Sequence, residues 1–333
     1  MTDTSRRVVV TQRFFDDRTI AYLEENDCRV EVADLPKGKA DGTMSKDELV
    51  DLLKGAEGWI VGHAHVTREL LTALPDLRII SRRGVGYERV DVEAVREMGR
   101  VITIAAGGND ASVADHAIGL MLAVGRRLRE SQNRMLADDW GILISSDLYQ
   151  KTVGIIGLGR IGRSVIQRLR GFDVRILVSA PHPDEAYARA EGITYTDVET
   201  ILRESDYVSL HAPLVKETRN LINAQSLATM KPTAILINTA RGGLVDDAAL
   251  LEALKGGQLA GAGLDVYASE SDGTFAPVTR ALIALPNVIA TPHSAASSHE
   301  GLARTNMVAA RSVVAVLNGD APPEACVIAD GRA

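Results

Sequence analysis

The feature that most constrains the fold is a glycine-rich stretch near the middle of the chain, residues 151–162, with the sequence KTVGIIGLGRIG. An apolar run enters this stretch, and a helical pattern over residues 163–170 follows it. Gly157, Gly159 and Gly162 have the spacing GxGxxG, in which the first glycine permits a tight turn, the second lets a pyrophosphate approach the backbone, and the third lets the helix pack closely. Glycine-rich turns are common, but the flanking strand and helix favour a dinucleotide-binding unit here.

Short β-branched runs alternate with helical patterns on both sides of this stretch. Such alternation is typical of α/β proteins in which helices cover both faces of a parallel sheet. Capping signals at Ser45, Thr67 and Asp91 predict the starts of three helices, and longer helical patterns cover 109–136 and 298–317. We therefore predict two doubly wound parallel sheets. The predicted strands lie at 8–10, 29–32, 58–61, 78–80 and 101–104 in the first sheet, and from 152, then at 174–178, 207–210, 234–238, 262–266 and 288–290 in the second.

The composition fits a soluble globular protein with room for two domains: 333 residues, 46% hydrophobic and 24% charged. A net charge of -7 argues against nucleic-acid or membrane-surface partners. The polar start, residues 1–7, and the lack of an apolar run of about 18 residues predict neither a signal peptide nor a membrane span. Cys28 and Cys326 have no metal-ligand spacing. We expect a cytoplasmic protein without a metal site, a surface loop at 34–43, and a tail after residue 317 that need not be ordered.

Candidate catalytic residues follow three strands of the second half, where ligands of open α/β sheets bind. Arg241 follows the first of these strands, Asp265 and Glu270 the second, and His293 the third. Taken singly, the arginine also fits a structural ion pair, Glu270 a solvated loop, and the histidine a structural role. Beside a dinucleotide turn they favour hydride transfer at a carbonyl. A carboxylate-paired histidine is a general acid or base, and an arginine polarises the carbonyl and binds the neighbouring carboxylate.

Several ordered blocks resemble the D-isomer-specific 2-hydroxyacid dehydrogenase family, which includes phosphoglycerate dehydrogenase, D-lactate dehydrogenase and glyoxylate/hydroxypyruvate reductase. The blocks are RGVGYERVD at 83–91, SVADHAIGL at 112–120, the glycine turn at 152–162, HAPL at 211–214, NTARG at 238–242, LDV at 264–266 and TPH at 291–293. The resemblance covers roughly residues 58–318. It implies an NAD(P)-dependent enzyme that interconverts a 2-keto acid and a D-2-hydroxy acid, and a homodimer. It also implies a Rossmann cofactor domain, 104–297, inserted in a flavodoxin-like substrate domain formed by 1–103 and 298–333.

The resemblance also implies roles for individual residues. Arg241 matches the arginine that binds the substrate and polarises its carbonyl, His293 matches the acid/base, and Glu270 matches the histidine's partner. The implied substrate contacts are Gly84, Val85 and Gly86, whose backbone receives the substrate carboxylate, with Arg241 and His293. The implied cofactor contacts are Gly157, Gly159, Arg160, Ile161, Gly162, Ser179, His211, Pro213, Thr239, Ala240, Asp265, which hydrogen-bonds the nicotinamide carboxamide, and Ser294.

Three positions depart from the family pattern. Ser179 and Ala180 stand where NAD-preferring members have an acid that binds the ribose hydroxyls, so we expect NAD without excluding NADP. Ser271 replaces the usual proline after Glu270, which predicts a looser loop. Asp115 stands where glutamate is commoner, and its simplest role is a favourable interaction with the helix dipole.

Other residues have simple interpretations. His63 and His65 fit surface loops, and His211 fits packing or the edge of the cofactor site rather than acid/base catalysis. Trp140 and Tyr149 are predicted to pack between elements. The segment 126–130 is interpreted as a solvated helix face.

Two questions about function stay open in the sequence. An NAD(H)-sensing, corepressor-like interaction protein on the same scaffold is the alternative to an enzyme, and cofactor-dependent oligomerisation without turnover would support it. A phosphorylated substrate would require additional cations in the first domain, for which Arg13, Arg82 and Arg83 are candidates.

Overall fold

The computed structural model describes residues 5–35 and 40–332. Its strands are β1 (Arg6–Val10), β2 (Cys28–Val32), β3 (Gly58–Val61), β4 (Ile79–Arg82), β5 (Val101–Ile104), β6 (Thr152–Ile156), β7 (Arg175–Ser179), β8 (Thr194–Tyr195), β9 (Tyr207–Leu210), β10 (Ile235–Asn238), β11 (Gly261–Leu264), β12 (Val288–Ala290) and β13 (Val327–Asp330). Its helices are α1 (Asp17–Glu24), α2 (Lys46–Leu53), α3 (Arg68–Thr72), α4 (Val92–Glu97), α5 (Asp110–Gly125), α6 (Leu128–Leu136), α7 (Arg160–Leu169), α8 (Glu185–Glu191), α9 (Val198–Glu204), α10 (Ala224–Thr229), α11 (Asp247–Lys255), α12 (Ala276–Ala284) and α13 (His299–Leu317).

The chain divides into two compact units. The first unit comprises Met1–Asn109 and Ser297–Ala333, as far as these ranges are described, and the second comprises Asp110–Ala296. Each unit has its own sheet and its own hydrophobic core. The predicted class, α/β with two doubly wound parallel sheets, is confirmed.

The sheet of the first unit has the order β13-β5-β4-β3-β1-β2. Its five N-terminal strands are parallel in the flavodoxin-like order, and β13 adds an antiparallel edge strand beside β5. On one face, α13 contributes Ala309, Val313 and Leu317 to a buried cluster with Val10 and Ile79 of the sheet. On the other face, apolar residues of α2, α3 and α4 form a second buried cluster. The sheet is therefore covered on both sides, although its covering helices come from both ends of the chain.

The predicted helix starts in this unit are confirmed at atomic detail. Ser45 and Glu48 form a reciprocal capping box at the start of α2. The side chains of Thr67 and Asp91 accept backbone hydrogen bonds at the starts of α3 and α4. Each cap satisfies an N–H group that the helix itself leaves without a partner.

The sheet of the second unit has the order β12-β11-β10-β9-β6-β7-β8, and its strands are all parallel. Numbered within the unit, this is the Rossmann order 3-2-1-4-5-6 with one further strand. The order reverses between β6 and β9, which places the topological switch point beside the glycine turn that follows β6. Ligands of such sheets bind at this point.

The predicted long helix over 109–136 is wrong, because the structure has two helices there. Arg127 adopts a left-handed backbone, φ 51°, between α5 and α6, and its side chain contacts Glu130. Arg126 and Arg127 therefore separate two helices, and residues 128–130 form the first turn of α6, so the segment 126–130 is not one continuous helix face. Trp140 and Tyr149 do not pack in the core either: they are 75% and 54% exposed.

The prediction that the tail after residue 317 need not be ordered is also wrong. β13 completes the edge of the first sheet, and Cys326 and Ala329 are buried there. Within the predicted loop at 34–43, residues 41–43 form a 3₁₀ turn and residues 36–39 lie outside the described ranges. In the part of the chain that the structure describes, no helix has the length and hydropathy needed to cross a bilayer.

Candidate active site

The turn that carries Arg241 follows β10 and is organised by Asn238. The Asn238 side chain accepts a hydrogen bond from the N–H of Ala240 at 3.1 Å and donates one to the carbonyl oxygen of Arg241 at 2.9 Å. The Arg241 guanidinium donates to the carbonyl oxygen of Ala240 at 2.7 Å. These hydrogen bonds fix the backbone of Arg241 at the buried end of β10. A guanidinium on a fixed backbone can bind a small anion in one orientation.

Glu270 and His293 form a direct pair. Nδ1 of His293 lies 2.5 Å from Oε2 of Glu270, and the N–H of Tyr267 donates to Oε1 of Glu270 at 2.7 Å. A carboxylate only accepts hydrogen bonds, so Nδ1 carries a proton and the second ring nitrogen, Nε2, is the one that can exchange a proton with a substrate. The side chains are 38% and 34% exposed, so a solvent-borne molecule can reach them.

Asp265 holds the loop that carries His293. Its carbonyl oxygen accepts from the N–H of His293 at 2.7 Å, and its fully buried carboxylate accepts from the backbone of Ser294 at 2.8 Å and of Ala295 at 2.9 Å. These contacts stabilise an unfavourable backbone, because His293 has φ 51°, a left-handed conformation that a non-glycine residue adopts rarely. Backbone strain at such a site persists only where surrounding contacts determine it.

A polar chain that the sequence did not reveal reaches the same carboxylate. Thr291 donates its hydroxyl proton to Asp265 at 2.5 Å, and Nε2 of His116, on α5, lies 2.9 Å from the same hydroxyl oxygen. Because the hydroxyl proton is committed to Asp265, the oxygen must accept from His116, and Nε2 of His116 is protonated. His116 belongs to the block 112–120, and Thr291 precedes His293 in the block 291–293. Their spacing along the chain does not indicate that the two side chains meet.

The glycine turn has the geometry that a dinucleotide requires. Gly157 has φ 99°, and a Cβ there would lie 2.6 Å from the backbone nitrogen of Ala212. A Cβ on Gly162 would lie 2.5 Å from the carbonyl oxygen of Gly157, whereas Gly159, at the start of α7, has open space around it. The turn, the close helix packing and the space for a pyrophosphate are all present.

Two further features of this edge fit a nicotinamide dinucleotide. The hydroxyl oxygen of Thr239, after β10, is buried without a hydrogen-bond partner among the described residues, so a ligand could satisfy it. Burial lowers the pKa of His211 to about 4, so this ring is neutral at physiological pH, and its Nε2 lies 2.8 Å from the Ser209 hydroxyl. His211 is thus suited to packing beside a cofactor and unsuited to acid/base work.

The predicted departures have structural explanations. Asp115 forms an ion pair with Arg168 of α7, and it lies beyond the first turn of α5, so the helix-dipole interpretation is wrong. The loop around Glu270 contains two 3₁₀ turns, Ala268–Glu270 and Gly273–Phe275, rather than a loose segment. Ser179 ends β7 and its carbonyl oxygen accepts from the N–H of Gly157.

The structure brings together the predicted catalytic residues Arg241, Glu270 and His293 with Asp265 at the carboxyl edge of the second sheet. The predicted cofactor residues all belong to this same unit. Gly84, Val85 and Gly86 follow β4 in the first unit, where they are half-buried. His63 and His65 are exposed in that unit, as interpreted from the sequence.

Known proteins give these features a family. Residues 118–295 match the family model described as D-isomer specific 2-hydroxyacid dehydrogenase, NAD binding domain. The chain is 35% identical to a glyoxylate reductase of Korarchaeum cryptofilum, over 95% of this chain and 94% of that protein. It is 36% identical to a D-3-phosphoglycerate dehydrogenase of Archaeoglobus fulgidus, over 91% of this chain but 56% of that protein. The D-lactate dehydrogenase of Aquifex aeolicus, solved with NAD and lactic acid, superimposes with a TM-score of 0.80 at 28% identity, over 95% and 96% of the two chains.

The chain therefore belongs to the D-isomer-specific 2-hydroxyacid dehydrogenase family. It is an NAD-dependent oxidoreductase of the class that transfers a hydride between nicotinamide and a 2-keto or 2-hydroxy acid, and the sequence-based prediction of family, reaction class and NAD is confirmed. The relatives are named as dehydrogenases or reductases, and none of these findings supports the corepressor-like alternative.

Proposed function

We propose that Arg241, Glu270 and His293 are the catalytic residues of a D-2-hydroxyacid dehydrogenase. The observation that carries the proposal is the 2.5 Å contact between Nδ1 of His293 and Glu270, because it stabilises the imidazolium and directs Nε2 away from the carboxylate. Arg241 binds the carboxylate of the 2-keto acid and polarises its carbonyl. The backbone of Gly84–Gly86 receives the same carboxylate.

Bound NADH supplies a hydride to the carbonyl carbon. The carbonyl oxygen then takes the electron pair of the broken π bond, and His293 transfers its Nε2 proton to that oxygen, so the product is a neutral hydroxyl. In the reverse direction the neutral imidazole removes the hydroxyl proton. Asp265 keeps the ring in place and orients the nicotinamide carboxamide. The implied cofactor contacts belong to the turn Gly157–Gly162 and to the segments that follow or end β7, β9, β10, β11 and β12.

Substitution of the triad tests this assignment. His293→Ala and Arg241→Ala should each lower kcat/KM for keto-acid reduction by at least about 100-fold, the usual contribution of a positioned acid or charge. NADH binding, followed by cofactor fluorescence, should survive in both. Arg175→Ala removes an exposed arginine of the same unit and serves as the matched control. Near-normal turnover in both triad variants would exclude the assignment.

The substrate is best sought among small keto acids. The relative that the chain spans almost end to end is named a glyoxylate reductase, so glyoxylate is the first candidate. A spectrophotometric screen of glyoxylate, hydroxypyruvate, pyruvate and phosphohydroxypyruvate, with NADH and with NADPH, identifies the substrate and the cofactor preference together. The proposal would be contradicted if no keto acid in a broad set oxidised NADH in the presence of the protein.

We also propose that the protein is a cytoplasmic homodimer and that the segment 128–149 forms the dimer contact. The described part of α6 has no buried residue, and the side chains of Leu136, Trp140, Ile142 and Ile144 are at least 75% exposed. So many exposed apolar side chains in one segment of a protein indicate an interaction surface. A second copy is the proposed occupant because the family resemblance implies a dimer interface on the helical stretch 109–134, and α6 includes the second part of that stretch. Two buried, unpaired cysteines, Cys28 and Cys326, suit a reducing compartment.

Light scattering after size-exclusion chromatography tests the dimer. Wild-type protein should have twice the chain mass of 35.7 kDa, and the double variant Ile142→Asp, Ile144→Asp should have the mass of one chain. The control Val32→Asp places a charge on an exposed valine of β2 and should leave the mass unchanged. A wild-type monomer, or a double variant that still dimerises, would refute the proposed contact.

A further inference from the structure

Asp247, in the first turn of α11, is a buried carboxylate that the proposed mechanism does not use. It is 4% exposed, and its Oδ2 accepts a hydrogen bond from the N–H of Ala268 at 3.0 Å. Burial raises the pKa of Asp247 to about 6, the hydrogen bond from Ala268 opposes this rise, and the charges of Asp246 and Glu270 add to it. An asparagine would accept the same hydrogen bond without a buried charge, so packing alone does not require an acid here.

The amide that Asp247 binds belongs to the 3₁₀ turn that presents Glu270. The preceding amide, of Tyr267, donates to the Glu270 carboxylate, whose other oxygen contacts His293. The loop before α11 touches this turn a second time, because a Cβ on Gly242 would lie 2.1 Å from the carbonyl carbon of Tyr267. Asp247 and Glu270 thus accept hydrogen bonds from two successive amides of the same turn. Glu270 is the group that orients the proposed general acid, His293.

The other ionisable groups around Asp247 are acidic or neutral. Asp246 caps the same helix, and Glu270 lies on the neighbouring turn. Tyr267 also faces the carboxylate, and burial raises its pKa, so it stays uncharged. The charge on Asp247 therefore adds to that of Glu270 instead of being cancelled.

We propose that Asp247 is a positioning residue for catalysis: its ionised carboxylate fixes the turn Ala268–Glu270 and adds a second negative charge behind the Glu270–His293 pair. The additional charge favours the protonated imidazole that keto-acid reduction needs. The inference rests on the proposed roles of Glu270 and His293.

The substitution Asp247→Asn tests the inference, since it keeps the acceptor for the Ala268 amide and removes the charge. At neutral pH the midpoint of thermal unfolding should rise by about 2–4 °C, because a buried charge is lost. The decline of kcat for keto-acid reduction at alkaline pH should move to lower pH by about half a unit, the order of magnitude expected when one nearby, partly screened charge is removed. The KM for NADH should not change. An unchanged pH profile would overturn the inference, whatever the effect on unfolding.

Two variants separate position from charge. Asp246→Asn removes the same charge from the adjacent residue, whose carboxylate accepts from Ala248 and Ala249 instead, and should shift the profile less. An equal shift would refute a role specific to Asp247. Asp247→Glu retains the charge and should keep the wild-type profile, and a displaced profile would count against the inference even if Asp247→Asn does not fold. Normal turnover of His293→Ala would instead contradict the proposed catalytic role of His293. Failure of the inference about Asp247 and failure of the proposed function therefore give different results.

Discussion

At the scale of single residues, the end of β7 lacks the acid that favours NAD over NADP in dinucleotide-binding folds of this type. Ser179 ends the strand and Ala180 follows it, so the position where an acid would bind the ribose hydroxyls carries a methyl group. A missing carboxylate removes both a hydrogen bond to the ribose of NAD and the repulsion that excludes a 2′-phosphate. The family match nevertheless gives NAD as the cofactor.

We predict that Ala180→Asp sharpens this selectivity. The new carboxylate should accept from the ribose hydroxyls of NADH and repel the 2′-phosphate of NADPH, so the ratio of the two dissociation constants should change by at least about 10-fold in favour of NADH. Fluorescence titration with both cofactors measures the ratio. Ala228→Asp puts the same charge on an exposed position of α10 and should leave the ratio unaltered. An unaltered ratio in Ala180→Asp would mean that the ribose lies elsewhere.

At the scale of elements, two loops that carry proposed catalytic residues are packed against each other. Gly242, next to Arg241, lies against the peptide between Tyr267 and Ala268, and no side chain fits between them. The position of the guanidinium is therefore coupled to that of the turn that holds Glu270.

Adding one methyl group tests this coupling. Gly242→Ala would place a Cβ 2.1 Å from backbone atoms, so we expect destabilisation by more than about 2 kcal/mol and a loss of kcat much larger than the change in NADH affinity. Gly243→Ala is the matched control: its Cβ would meet the flexible end of Leu214 at 3.1 Å. Chemical denaturation and steady-state kinetics measure both effects. If Gly242→Ala and Gly243→Ala have the same free energy of unfolding and the same kcat, the close packing at Gly242 does not couple the two loops.

The sequence predicted those elements whose signal is local. The strands Gly58–Val61 and Tyr207–Leu210 are buried along their whole length, and their bounds were predicted correctly. The break at Arg127 was missed because Gly125, which ends α5, stands within an otherwise continuous helical pattern and the left-handed residue itself is an arginine. β13 was missed because a short strand after prolines is defined by the open edge of β5. For the site, ordered motifs led to the proposed triad, and the structure shows the contact between His293 and Glu270. The contacts of Thr291 with His116 and of Asp247 with Ala268 depend on how segments that are distant in sequence pack together. No pattern in a single sequence indicates that these segments are close in space.

At the scale of the whole molecule, the buried acid at position 247 makes stability depend on pH. Burial raises the pKa of Asp247 from its ordinary value of 3.8 to about 6 in the folded state. The folded state therefore binds the proton of the Asp247 carboxyl more tightly than the unfolded state does. The stabilisation from that bound proton is complete below about pH 4 and is lost as the pH rises through 6.

We predict that wild-type protein loses on the order of 2 kcal/mol of unfolding free energy from this group between pH 4 and 6, and that Asp247→Asn does not. Urea unfolding at a series of pH values measures the difference between the two proteins, in which contributions from other groups cancel. Parallel stability curves for wild type and Asp247→Asn would show that the carboxyl titrates normally.

The division of the first unit between the two ends of the chain has a consequence for synthesis on the ribosome. The sheet face formed by Val10, Ile79 and their neighbours is covered by α13, which is translated after the whole of the second unit. At roughly 5–20 residues per second, this face waits on the order of ten seconds or more for its cover, while the contiguous second unit already has everything that it needs to fold. The nascent chain therefore has a complete second unit while one face of the first sheet is still uncovered, and an uncovered apolar face of this kind promotes chaperone binding or aggregation during synthesis.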